Sequence, residues 1–83
     1  MYYFTYMLKS ISTGTKKTYV GYTIDIDKRL AKHNSNKGAK STKGYKWVLI
    51  YFKKFRTKKK AMSFEYKLKN NRLLRKEILD KSK

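Results

Sequence analysis

The chain has no cysteine, which rules out disulfides and a thiolate zinc site and leaves side-chain packing to hold the fold. It is nearly as poor in acids: five Asp and Glu stand against 23 Lys and Arg. Asp25, Asp27, Glu65, Glu77 and Asp80 are the whole supply, too few and too scattered for a centre built on several converging carboxylates, a two-metal centre above all. A long apolar run is also missing. No stretch approaches the roughly 18 residues of a membrane span, and the opening MYYFTYML has neither the basic region nor the small-residue cleavage site of a secretory signal. The expectation is an intracellular protein with no membrane segment.

Positive charge is what the chain has in excess, a formal +18 on 83 residues. Its partner is therefore expected to be a polyanion. The basic residues run along the whole chain and are not gathered on one amphipathic helix, which favours nucleic acid over a membrane surface. Binding to duplex DNA would then weaken with salt, roughly as the 0.9Z power for Z neutralised phosphates. Disorder is not expected, because 40% of the residues are hydrophobic and eight Tyr, four Phe and one Trp supply a core. A chain this short buries only about 60 to 65% of its unfolded surface, enough for one core, so residues 1–83 read as one domain.

Tyr2 to Leu8 carries no helix-period stripe and reads as a strand with Tyr2, Phe4, Tyr6 and Leu8 on one face. A polar turn around Gly14 leads to a second strand from Lys17 to Thr23, so the two form a hairpin with a long loop. Asp25 is placed to cap a helix over Ile26 to Asn34, and Ser35 to Lys46 is a basic loop. Trp47 to Phe52 (WVLIYF) is a continuous apolar run whose β-branched and aromatic content predicts the central strand, covered on both faces. Thr57 can cap a helix over Lys58 to Asn70, and Leu74 and Ile78 mark a third short helix or a frayed tail. The order strand, strand, helix, strand, helix describes a small α/β sandwich on a three-stranded, mainly antiparallel sheet.

At about 100° per residue the first helix buries Ile26 and Leu30, with Arg29 and His33 flanking that stripe and Lys28 and Lys32 turned to solvent. An arginine at the edge of a core face needs a partner. Either it pairs with an internal carboxylate and His33 is a satisfied boundary histidine, or it meets a phosphate, which matches the planar five-donor guanidinium. In the second helix Glu65 falls within the stripe of Ala61, Phe64 and Leu68. Its carboxylate should be partly buried, and so either paired, with Arg29 as a candidate, or bound to a metal. One hard cation, Mg²⁺ or Mn²⁺, held by a single carboxylate, waters and substrate phosphate oxygens, suits that supply.

Without a second metal, another group has to activate water. Tyr6 and Tyr19 lie on neighbouring strands, and the surrounding positive charge should favour the phenolate, although packing alone is the commoner role for a tyrosine on a strand. Gly21, on the same face as Tyr19, leaves room either for a phosphate backbone or for a close packing contact. Lys58, Lys59 and Lys60 open the second helix at the end its dipole makes unfavourable for cations, and either meet a phosphate or form a solvated face. Lys37, Lys40, Lys43 and Lys46, with Tyr45 and Trp47 beside them, make the basic loop a candidate nucleic-acid contact with base-stacking rings.

From Tyr3 to Lys69 these residues resemble the GIY-YIG nuclease family. Tyr19-Val20-Gly21 stands where the family has its second tripeptide, and Phe4-Thr5-Tyr6 takes the place of the first, keeping only its tyrosine. Arg29 and His33 follow in DKRLAKHN, and Glu65 sits in AMSFEYKLK. A lone YxG would be weak; five elements in order are specific. TYVGYT, KRLAKHN, KGAKSTKG, WVLIY and the FE pair are most similar to the catalytic domain of structure-selective nucleases that cut branched DNA. Those proteins usually add a zinc-binding C-terminal domain, and residues 1–83 hold no cysteine for one. The resemblance implies that Tyr6 or Tyr19 generates the nucleophile, with Tyr6 the preferred general base, while His33 orients Tyr or phosphate. It also implies that Arg29 stabilises the phosphorane charge and Glu65 holds the metal.

The expected function is thus a metal-dependent DNA endonuclease, a phosphodiester hydrolase of branched or flapped DNA in repair or recombination, with a partner subunit or homodimer left open. A non-catalytic DNA- or RNA-binding module on the same fold is the alternative. A third reading is a basic accessory protein whose last helix docks a partner through Leu74 and Ile78.

Overall fold

The computed structural model describes residues 1–11, 17–35, 37 and 40–82. Among them lie three strands, β1 (Tyr3–Ser10), β2 (Thr18–Thr23) and β3 (Trp47–Phe55). Three helices, α1 (Ile26–Asn34), α2 (Lys58–Lys69) and α3 (Arg72–Lys81), complete the order β1, β2, α1, β3, α2, α3, with a short 3-10 turn at Lys40–Thr42 before β3. The sheet is antiparallel throughout, with strand order β2-β1-β3. The turn expected around Gly14 lies outside the described residues.

The central strand is β1 and not the WVLIYF run. Thr5, Tyr6, Met7 and Leu8 are all buried on β1, whereas on β3 Phe52 is 53% exposed and only Trp47 is fully buried. The apolar run has another cause. Between Met7 and Leu8 the β1–β3 register slips from Tyr51 to Leu49, so Ile50 is the extra residue of a bulge. Ile50 and Tyr51 both turn to the α2 and α3 side while Trp47 and Leu49 turn to the α1 side, which breaks the two-residue alternation expected of an edge strand. β3 also runs on to Phe55, its exposed Lys53 and Lys54 being the charged residues that commonly guard an open sheet edge.

Each helix begins on a side-chain cap that accepts from an otherwise unpaired backbone N–H. Asp25 accepts from Lys28 N at 3.1 Å, Thr57 from Lys60 N at 3.2 Å and Asn71 from Leu74 N at 3.0 Å. Arg72–Lys81 is therefore a helix packed on the sheet. Buried Ile78 and half-buried Leu74 pack with Met7, Val20 and Leu68. The two residues assigned above to a docking surface are thus spent inside the molecule. None of the helices described is long and apolar enough to cross a membrane.

Candidate active site

Alternation along β1 sends Met7 toward α2 and α3 and sends Tyr6 and Leu8 toward α1. Tyr6 pairs with Gly21 across the β1–β2 ladder, and its ring lies over that glycine. A methyl group on Gly21 would stand 2.7 Å from the Tyr6 Oη and 3.0 Å from the Tyr19 Cε2. The room at Gly21 is therefore filled by a phenol, not kept open for a phosphate. Of the two roles open to this glycine, the close packing contact is the one observed.

Three side chains converge on that phenol. Arg29 and His33, one helical turn apart on α1, reach the Tyr6 Oη through Nε at 3.4 Å and through Nε2 at 2.8 Å. Tyr19 packs beside them at a tilt, with its ring centroid 4.8 Å from that of His33 and 6.3 Å from that of Tyr6. The other histidine nitrogen, Nδ1, lies 3.0 Å from Thr42 Oγ1. Arg29 is half-buried, and its hydrogen bond to the Tyr6 phenol raises its pKa further. The internal carboxylate that could have partnered Arg29 is not its contact; a phenol is.

Burial pushes the Tyr6 phenol up to about 12, outweighing the Arg29 hydrogen bond that favours its anion; the charges of Tyr19 and Glu65 add to the rise. The expectation that a cationic surround would ease Tyr6 toward phenolate is therefore reversed. Desolvation of a side chain only 1% exposed is the larger effect. His33 shifts the other way. Its pKa is lowered by burial first and by the Arg29 charge second, so the imidazole is held neutral.

Glu65 projects from α2 with its side chain 19% exposed and the Lys69 Nζ 3.8 Å away. That i,i+4 pair is long and leaves the carboxylate oxygens open to other partners, and its charge is felt at Tyr6. No cluster of three or more His, Cys, Asp or Glu capable of holding a metal occurs among the described residues. The donor set fits one hard divalent cation on a single carboxylate, with its remaining positions left to water and substrate oxygens.

Lys37, Lys40, Lys43 and Lys58 are all exposed. Trp47 is not available for base stacking: it is 3% exposed and its indole donates to the Thr42 carbonyl at 3.0 Å. Tyr45 lies edge-on to that indole, with Lys17 Nζ 4.6 Å from its ring centroid. Sequence reasoning missed Thr42 and Asn34. Asn34 clamps the Trp47 backbone, accepting from its N–H at 2.6 Å and donating to its carbonyl at 3.1 Å. No spacing rule marks Thr42, because it reaches His33 from a loop nine residues on.

A family model described as the GIY-YIG catalytic domain matches residues 2–77. The UPF0213 protein YsiG of Lactococcus lactis subsp. lactis is 47% identical over 78 residues, covering 93% of this chain and 71% of that protein. A UPF0213 protein of Bacillus pumilus is 50% identical over 52 residues, and there the chain spans only 53% of the relative's length. Among solved structures, the solution NMR structure of a UPF0213 protein from Bacillus halodurans superposes with a TM-score of 0.51 at 34% identity, over 96% of this chain and 84% of that one. A match that begins ahead of β1 and ends within α3, joined to relatives at this identity, makes the chain a member of the GIY-YIG family, a family of nucleases.

Proposed function

We propose that residues 1–83 form one metal-dependent DNA endonuclease domain that hydrolyses phosphodiester bonds in branched or flapped duplexes, as repair and recombination require. The observation that carries this reading is the hydrogen-bonded row Arg29, Tyr6, His33 on a chain of net charge +18. A guanidinium and an imidazole on one hydroxyl place a cation and a proton acceptor together at the phenol, which is the pair that phosphoryl transfer needs.

The raised phenol fits a general base of a particular kind. Tyr6 does not need to exist as a free phenolate if its proton moves to neutral His33 Nε2, 2.8 Å away, as it takes one from the attacking water. Water oxygen then bonds to phosphorus, the P–O bond to the leaving strand breaks, and the extra proton resides on the imidazole. Arg29, held beside the nucleophile, neutralises charge building on the phosphorane oxygens. Tyr19 shapes the site against His33. Glu65 would hold the Mg²⁺ or Mn²⁺, which when bound supplies positive charge for the leaving oxygen. Lys37, Lys40, Lys43 and Lys58 meet backbone phosphates on either side, and the small-residue surface at Gly21 seats the phenol they approach.

Glu65→Gln is expected to abolish cleavage while binding stays within about twofold, read on a panel of junction, flap, plain-duplex and RNA substrates with each divalent ion. Persistent cutting by this variant would remove the mechanism. Burial of Tyr6 to 1% favours a second reading, a nucleic-acid-binding module in which the same cluster only packs. It requires salt-steep binding and no cutting by the wild-type chain on any member of the panel.

A further inference from the structure

Hydrogen bonds around Tyr6 can be satisfied in one direction only. Arg29 carries donors and no acceptor, so at 3.4 Å the Tyr6 oxygen accepts from its Nε–H. Tyr6 has one hydrogen of its own to place. The side chain is 1% exposed, and His33 Nε2 at 2.8 Å is the acceptor that the fold places against that hydrogen. Nε2 must then be the unprotonated nitrogen of the neutral ring. The proton belongs on Nδ1, which faces Thr42 Oγ1 at 3.0 Å.

The reverse arrangement is self-defeating. If the Thr42 hydroxyl donated to Nδ1, the ring would carry its proton on Nε2 and aim a second donor at a Tyr6 oxygen already facing Arg29. The buried phenol hydrogen would then lose its acceptor, at the cost of an unmade hydrogen bond. A histidine's tautomer is set by what its other nitrogen touches. Thr42 is well placed to hold it: its hydroxyl can accept once Tyr6 has claimed Nε2, it is fully buried, and its backbone carbonyl is pinned by the Trp47 indole at 3.0 Å.

We propose that Thr42 is a positioning residue for this site: its hydroxyl accepts from His33 Nδ1–H, fixes the imidazole in that tautomer and keeps Nε2 open for the Tyr6 proton. The catalytic consequence rests on the endonuclease reading above; the tautomer itself does not. His33 is the single histidine of the chain, so a long-range ¹H–¹⁵N spectrum of ¹⁵N-histidine protein, taken above the histidine titration range, reports its tautomer without ambiguity.

The wild type is expected to show the Nδ1–H pattern, Thr42→Ser to keep it, and the isosteric Thr42→Val to move toward Nε2–H. On the best substrate of the cleavage panel, Thr42→Val should lower kcat by about tenfold or more with KM unchanged, the scale at which loss of a histidine's outer partner is felt, and Thr42→Ser should restore it. An Nε2–H pattern in the wild type, or a Thr42→Val spectrum identical to the wild type, overturns the proposal. An Nδ1–H wild type with no cleavage of any substrate would instead sustain the role of Thr42 in the tautomer and defeat the nuclease reading alone.

Discussion

The two faces of the sheet are built from alternate residues of one strand, yet they are different materials. Toward α2 and α3, Met7 and Val20 pack with Leu68 and Ile78, and half-buried Ile50, Tyr51, Phe64 and Leu74 close around them. Toward α1, the equally buried Tyr6 and Leu8 share their space with His33, Thr42 and Trp47, and nearly every one of these bears a polar atom with a named partner. Both faces exclude water. Only one holds titratable groups in that dryness, and there burial raises Tyr6 and lowers His33, so that both are neutral near neutral pH. The apolar face supplies cohesion so that the polar face can afford a row of interdependent hydrogen bonds.

That division can be broken most severely from the apolar side. Leu68→Ala opens a cavity at a fully buried position and should cost about 2 to 5 kcal/mol in urea unfolding, while any cleavage by the surviving folded fraction keeps its wild-type kcat. A loss of kcat in excess of the folded fraction would show that the faces are not separable. Gly21→Ala comes next. Its Cβ would meet the Tyr6 Oη at 2.7 Å, so the phenol must shift, at about 1 to 3 kcal/mol of stability, together with loss of cleavage.

Tyr6→Phe sharpens the contrast, because the ring keeps its packing and only the hydroxyl between Arg29 and His33 is gone. Stability should fall by only about 1 kcal/mol while cleavage drops by about 100-fold or more. The smallest effect is on pH. His33 has its native pKa below the unfolded value near 6.5. The unfolded chain therefore takes up the proton first, so the stability His33 contributes is fully present above pH of about 6.5 and is lost as pH falls through the native value. Urea midpoints measured downward from neutral pH should decline in the wild type and decline less in His33→Gln.

Local features were legible from the residues. The caps Asp25 and Thr57 begin α1 and α2 where their side chains predict, and the turn-spaced Arg29 and His33 do share one aim. Strand order was not legible. The apolarity of WVLIYF reads as full burial, but it arises from a bulge at Ile50 and from partial cover by helices on each side of an edge strand. Glu65 was found as a half-hidden acid from its place in the helix stripe, whereas its neighbour proved to be Lys69, one turn along, and not Arg29.

Capping, helix period and the spacing of Tyr19, Gly21, Arg29, His33 and Glu65 depend on atoms a few bonds apart, and the sequence alone determined them. Tertiary structure decided that Tyr6 lies dry over Gly21, that its proton has His33 as acceptor, and that Thr42 stands behind the imidazole. Desolvation and hydrogen-bond direction are properties of everything that surrounds a group, and those surroundings are assembled from β1, β2, α1 and the Lys40–Thr42 turn only when the chain folds.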